Sequence, residues 1–175
     1  MTTFERIDRS RDVILRNLYE HYVHDMSEWL GIDTRDDGAF GFDTNSLWQG
    51  DYAIYLARVG GSLAGFAVVG PSERWLGRSD GRDMKDFLVL RRFRHHGIGR
   101  AFATHLWNQH AGEWLIRVLV TNTPGLSFWR RAVRDYMPGR FAETCVLEHG
   151  NDSVARDWVH FRFDSREHPS SAVTL

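Results

Sequence analysis

Cysteine and lysine are almost missing from this chain of 175 residues, which has one of the first, Cys145, and one of the second, Lys85. A lone cysteine makes no internal disulfide and no thiolate metal cluster, so a reducing compartment, the cytoplasm, is expected. With one lysine among the 22 Lys and Arg, the other cations are arginines, a bias expected from genome composition, with phosphate recognition as the alternative. A surplus of either charge is missing too. The 23 Asp and Glu leave a net charge of −1, without the basic footprint of a general nucleic-acid binder. No apolar run approaches the roughly 18 residues of a membrane span. Met1-Thr-Thr-Phe-Glu-Arg-Ile-Asp lacks a basic-then-apolar signal pattern, so neither membrane nor leader is expected. Sixteen glycines and four prolines are too few for a collagen-like or low-complexity chain. What remains is 42% hydrophobic and 26% charged, a globular composition. A chain of this size buries about 70% of its extended surface on folding, from about 29,000 to about 9,000 Å², enough for one core.

Apolar spacing along the chain predicts the elements. Phe4 and Ile7 form a short apolar pair, and Ile14, Leu18, Tyr22, Asp25 or Met26, and Trp29 then stand at helical spacing from Arg11 to Trp29, with Gly31 as the stop. From Ile32 to Gly50 the period is lost, giving a long surface loop with one helical turn near Ser46. Tyr52–Val59 and Ser62–Val69 flank Gly60-Gly61 as a β-hairpin. Pro71–Gly81 reads as a connection. The apolar run Phe87-Leu88-Val89-Leu90, in a strand from Met84, suits a central position. A helix from about Gly97 to Gly112 and a strand over Trp114–Val120 complete a βαβ unit, whose strands should be parallel. Pro124 opens a further helix over about Gly125–Arg134. Two antiparallel strands, Phe141–Glu148 and Asp157–Phe163, close the pattern around His149-Gly150-Asn151-Asp152. The expectation is one α/β domain with a mixed sheet over residues 1–163, and a frayed polar tail over 164–175.

The chemistry concentrates where the central strand meets its helix, in Leu88-Val89-Leu90-Arg91-Arg92-Phe93-Arg94-His95-His96-Gly97-Ile98-Gly99-Arg100-Ala101. A buried strand runs into a basic loop, and small residues open the helix, so backbone N–H groups converge at its N-terminus. Such a start is a site for an anion. Two familiar phosphate loops do not fit. A P-loop needs a glycine followed by lysine, absent here. A dinucleotide fingerprint needs a small residue where Phe102 stands, and an acid about 20 residues on, where Arg117 lies.

The order Arg-x-x-Gly-x-Gly after a strand, as Arg94 to Gly99, resembles the pyrophosphate motif of the GNAT superfamily of acyl-CoA N-acyltransferases. The hairpin before it, the βαβ unit around it, and Asn122 with Phe128-Trp129 after it carry the likeness over roughly Phe4 to Phe163. Phe87–Gly99 with Phe128-Trp129-Arg130-Arg131 resembles most the small bacterial branch of predicted acetyltransferases. The resemblance implies a GNAT-like fold and acetyl-CoA as co-substrate. It implies that Phe87, Leu88 and Val89 pair with the pantetheine, the amide near Val89 facing the thioester oxygen. Arg94, His95, His96, Gly97, Ile98, Gly99 and Arg100 would wrap the pyrophosphate. Asn122, Phe128 and Trp129 would flank the pantetheine's far side. Where the family usually has a tyrosine as general acid, this chain has Trp129, whose indole cannot deliver a proton at neutral pH. Tyr136 is then the candidate acid, or else a packing tyrosine.

An amine must lose a proton before it attacks a thioester, and a carboxylate can take it. Asp83 and Asp86 lie an odd number apart on one strand, so they face opposite sides. Asp86 stands directly before the apolar run, where the family it resembles often carries an acid, and that likeness makes it the candidate base; otherwise it is a solvent-facing strand-end charge. Cys145, between Thr144 and Val146, is expected to be a buried, inert thiol. His21, His24 and Asp25 sit about a turn apart but lack further ligands, and no metal is expected. Arg130, Arg131 and Arg134 form either a solvated face or a contact for the CoA 3′-phosphate. The resemblance implies that the first helix, the loop after it and the C-terminal strands build the acceptor site, and in that loop and its flanks Glu28, Asp33, Asp36, Asp37 and Asp43 stand beside Trp29, Phe40, Phe42 and Trp48. That composition suits a small cationic amine as acceptor, or an acidic loop whose aromatics cap the core. The expected activity is acetyl transfer to a primary amine in a ternary complex, with a non-catalytic acetyl-CoA sensor as the alternative; a homodimer is compatible with either.

Overall fold

In the computed structural model the described residues are 1–77, 80–149 and 154–168. In chain order the elements are β1 (Thr2–Ile7), α1 (Asp12–Leu30), α2 (Asn45–Gln49), β2 (Ala53–Val59), β3 (Ser62–Pro71), α3 (Glu73–Leu76) and β4 (Arg82–Val89). They continue as α4 (Ile98–Gln109), β5 (Glu113–Leu119), α5 (Thr123–Tyr136), β6 (Ala142–His149) and β7 (Ala155–Asp164). Hydrogen bonding orders the strands β1-β2-β3-β4-β5-β7-β6 in a mixed sheet of seven. The expected α/β class and mixed sheet are therefore present. Within it the chain forms two compact units, Met1–Gly70 with Asp86–Phe102, and Pro71–Lys85 with Ala103–Leu175, so β4 and α4 each contribute to both.

In the first unit, β1 pairs antiparallel with β2 and β2 with β3, the hairpin turning at Gly60-Gly61 as its sequence demands. The segment Thr2–Ile7 is thus a strand rather than an isolated apolar pair. Helix α1 lays Leu15, Leu18, Tyr19 and Val23 against Leu47, Ile54, Leu56, Phe66, Val68 and Leu88, the apolar core of this unit. The stripe is rotated from the one expected. Ile14 and Tyr22 are only partly buried at its margin, whereas Leu15 and Tyr19 are fully enclosed. Gly31 ends the helix as expected, its N–H donating to Ser27 O at 2.9 Å. On β4, Phe87 lies 5.4 Å from the ring of Phe102, which stacks on Phe4 at 4.8 Å. Those contacts hold the first turns of α4 to the strand that precedes it.

In the second unit, β4 pairs parallel with β5 through Arg82–Trp114 and Asp83–Leu115, as the βαβ reading requires. β5 and β6 each pair antiparallel with β7. The core is aromatic: Trp107, fully buried, meets Trp129 at 6.3 Å, Tyr136 at 4.7 Å and Phe163 at 5.2 Å. Order continues past residue 163. Ser165 is buried, and its N–H and hydroxyl both bond Gly112 O, so the expected fraying does not begin at Asp164. The expected turn at Gly150–Asp152 and the tail from Pro169 lie outside the described residues.

β6 ends the strand order, and Ala142, Glu143, Thr144 and Cys145 on it are exposed. The buried thiol expected of Cys145 is therefore corrected. Its neighbours Thr144 and Val146 suited a covered strand, but an edge strand has a partner on one side only.

Candidate active site

The turn from β4 into α4 is built in steps. The Leu90 N–H donates to Ala64 O at 2.8 Å, and its carbonyl accepts from the Phe93 N–H at 2.8 Å, opening a 3₁₀ turn over Arg91–Phe93. His95 and Gly97 then take φ of 64° and 78°, left-handed conformations that turn successive N–H groups to one side. Helical bonding begins with Ala101 N–H to Gly97 O at 3.0 Å. The amides before it point out of the helix end, where the helix dipole favours an anion. A Cβ placed on Gly97 would meet no atom within 4 Å, so the cradle in front of the glycine is open. Gly97, Ile98, Gly99 and Arg100 thus lie together at the start of α4, with open space before Gly97.

Arg94 has a different place from the one read. Its Nε donates to Val89 O at 2.7 Å and its guanidinium also binds the Asp25 carboxylate, which takes Arg91 as well at 3.0 Å. Arg94 braces the loop against α1 and the end of β4. Asp25 lies 69 residues upstream, a pairing no local motif could suggest. Burial pushes the Asp25 carboxyl up, but the two arginines outweigh it and hold it below its usual range. His95 and His96 are exposed, and His96 Nδ1 lies 2.6 Å from Arg94 O. Among the described residues no three His, Cys, Asp or Glu side chains gather as a metal site requires.

Asp86 and Leu88 point to one face of β4, Phe87 and Val89 to the other. The alternative of a solvent-facing charge is excluded, because Asp86 is buried and its Oδ2 accepts from the Tyr19 hydroxyl at 2.6 Å. Burial, and then the adjacent Asp86 charge, push the Tyr19 phenol well above its ordinary range, so it stays protonated and donates. Tyr19 was missed at the level of sequence, where a tyrosine in a helix carries no sign of a carboxylate partner 67 residues away. Asp83, as its odd spacing requires, looks elsewhere, and Arg117 donates to its Oδ2 at 2.8 Å in the second unit.

The remaining candidates share α5. Asn122 caps that helix, its Oδ1 accepting from the Gly125 N–H at 2.9 Å, so the side chain has a structural partner. Phe128 is half-buried and meets the buried Trp129 edge-on at 4.8 Å. Tyr136 is buried too, donates to Asn108 Oδ1 at 2.6 Å, and its phenol is pushed up to about 12 by burial. That environment keeps the proton on at neutral pH. Tyr136→Phe is expected to lower thermal stability by about 1 kcal/mol, the value of one buried hydrogen bond. Turnover should stay within a few-fold, and a 10³-fold drop at unchanged acetyl-CoA affinity would make Tyr136 the acid. Of the basic face, Arg130 pairs with Glu143 at 2.8 Å and Arg131 with Ser127 Oγ at 2.8 Å.

Residues 15–133 match the model of the acetyltransferase (GNAT) family. No protein of curated function matches the chain. Among solved structures, yncA of Salmonella typhimurium, described as an acetyltransferase with its cofactor acetyl-CoA, superposes with a TM-score of 0.63 at 13% identity over 99% of both chains. An N-acetyltransferase of Staphylococcus aureus gives 0.65 at 10% identity, over 94% of this chain and 99% of that one. The ribosomal-protein-S18-alanine N-acetyltransferase of Escherichia coli gives 0.57 at 15% over 94% of each.

Proposed function

The chain belongs to the acetyltransferase (GNAT) family of acetyl-CoA-dependent N-acetyltransferases, and on that premise we propose that it acetylates a primary amine on a small cationic molecule, by direct attack in a ternary complex. The observation that carries this reading is the turn after β4. An anion cradle at Gly97 is braced by Arg94 and Asp25, and a buried carboxylate, Asp86, stands on the strand leading into it.

Acetyl-CoA supplies an activated acetyl group: as the amine nitrogen bonds to the carbonyl carbon, the C–S bond breaks and CoA leaves as thiolate. The chain's own residues do the rest. The amides from His95 to Arg100 hold the diphosphate, and each charge-assisted contact is worth about 1.5–3 kcal/mol before ordering costs. The backbone of Phe87, Leu88 and Val89 lies beside the pantetheine, with an amide near Val89 donating to the carbonyl oxygen as charge builds there. Asp86 takes a proton from the acceptor's ammonium, directly or through water, and the neutral amine so formed attacks. With Trp129 where an acid would stand, the thiolate, of reference pKa about 8.5, collects its proton from water.

For the acceptor, the loop supports attraction of a cation through the exposed Glu28, Asp33 and Asp36. Asp37 is tied to Arg35 at 2.8 Å, and Asp43 to the Asn45 N–H at 2.9 Å. Phe40, Phe42 and Trp48 pack against the core, so the aromatics serve the fold as well. The reading carries with it a cytoplasmic location and an acceptor that is neither nucleic acid nor lipid. No helix among the described residues is long and apolar enough to cross a membrane.

Release of CoA with a panel of amines tests the reading. Small diamines and polyamines should be turned over faster than neutral or acidic amines, Cys145→Ala should keep the rate, and Asp86→Asn should lose about 10²-fold or more near neutral pH. Acetyl groups trapped on the protein without acceptor would refute direct transfer. No turnover of any amine would leave the chain an acetyl-CoA-binding module.

A further inference from the structure

We propose that Tyr19 is a positioning residue for acetyl transfer, its phenol fixing Oδ2 of Asp86 and so the orientation in which that carboxylate meets the proton lost by the acceptor amine. This deepens the reading of Asp86 as the base and rests on it.

All the parts lie in the first unit. Tyr19 is fully buried on α1, and its hydroxyl donates to Asp86 Oδ2 at 2.6 Å. A carboxylate otherwise rotates about its terminal torsion, which is broad. One short bond to a protonated phenol fixes that rotation. The phenol itself is held by three rings: Phe42 stacked at 4.0 Å and 4°, Phe66 tilted at 4.7 Å, and Tyr22 edge-on at 5.9 Å. Phe42 belongs to the loop read as the acceptor's, and the next residue of α1 secures that loop. Glu20 accepts from the N–H groups of Phe40 and Gly41, each at 2.8 Å. One turn of α1 therefore grips the loop with Glu20 and the base with Tyr19. The other ionisable groups facing the phenol are Tyr22 on the same helix and Tyr52 just before β2.

A buried hydroxyl with a single carboxylate partner can be purely structural, so the test needs readouts that a structural role would not move. Tyr19→Phe keeps the ring stack and removes the donor. Its kcat should fall about tenfold with acetyl-CoA affinity and the KM for the amine unchanged. Tyr19→Phe combined with Asp86→Asn should be no slower than Asp86→Asn alone. If Tyr19→Phe melts too low to assay, Phe42→Leu, which loosens the ring but keeps the hydroxyl, should lower kcat by a smaller factor. Unchanged kcat in these variants would overturn the proposal. If Asp86→Asn is crippled while Tyr19→Phe is not, positioning fails and the base stands; if Asp86→Asn keeps its rate, the base reading itself fails.

Discussion

Gly65→Ala is expected to melt about 10 °C below wild type and to lose acetyl-CoA binding, although it adds one methyl group in the middle of a strand. A Cβ at Gly65 would stand 2.0 Å from Leu88 O, 3.0 Å from Leu88 C and 3.1 Å from Val89 Cα. All three are backbone atoms of β4, so no side chain can swing aside. Relief requires β3 and β4 to part, which strains the Leu90–Ala64 hydrogen bond that launches the turn into α4. Overpacking of this kind costs about 1–3 kcal/mol or more, and a weakened backbone bond adds about 1. At about 2–4 °C per kcal/mol for a chain of this size, the sum is about 10 °C. Gly60→Asn is the control. At φ 57° with nothing within 4 Å, that turn glycine tolerates asparagine, and its melting temperature should barely move. Equal melting of the two variants would show that the close approach at Leu88 constrains nothing.

The second large effect is on the ligand rather than the fold. Gly97→Leu is expected to abolish stabilisation by acetyl-CoA while the free protein loses only a few degrees. The open space before Gly97 lets the chain accept the side chain at the cost of a left-handed residue, about 1–2 kcal/mol. The same space is where the diphosphate would lie. A ligand at a hundred times its Kd stabilises by about 2.7 kcal/mol, about 5–10 °C here. That shift should vanish in Gly97→Leu and shrink in Gly99→Leu. A full shift in both variants would remove the helix start from the binding site.

What the sequence disclosed and what it hid divide along a physical line. The βαβ unit was legible because its signals are local: four apolar residues in a row at Phe87–Leu90, then Gly97 and Gly99 opening a helix. The hairpin was legible from Gly60-Gly61. β1 was not, because a strand with two apolar residues in six owes its existence to the ladder it makes with β2. Two helical stripes were available on α1, and they share Leu18. Choosing Ile14 over Leu15 meant treating Tyr19 as a surface residue. Tyr19 can be buried only because Asp86 satisfies its hydroxyl. Arg94 followed the same rule: the motif announced an arginine near a phosphate, while Asp25 and Val89 O decide where the guanidinium goes. Charged and phenolic side chains take their roles from partners that only folding brings near.

The exposed thiol on β6 has a practical consequence. One cysteine per chain, set on an edge strand among exposed residues, is a single attachment point, and a maleimide fluorophore should couple there in a one-to-one ratio. The same thiol makes the oligomeric state sensitive to handling. Stored in air without reductant, chains can couple through Cys145 into covalent pairs, and a sizing column would report a dimer made by oxygen.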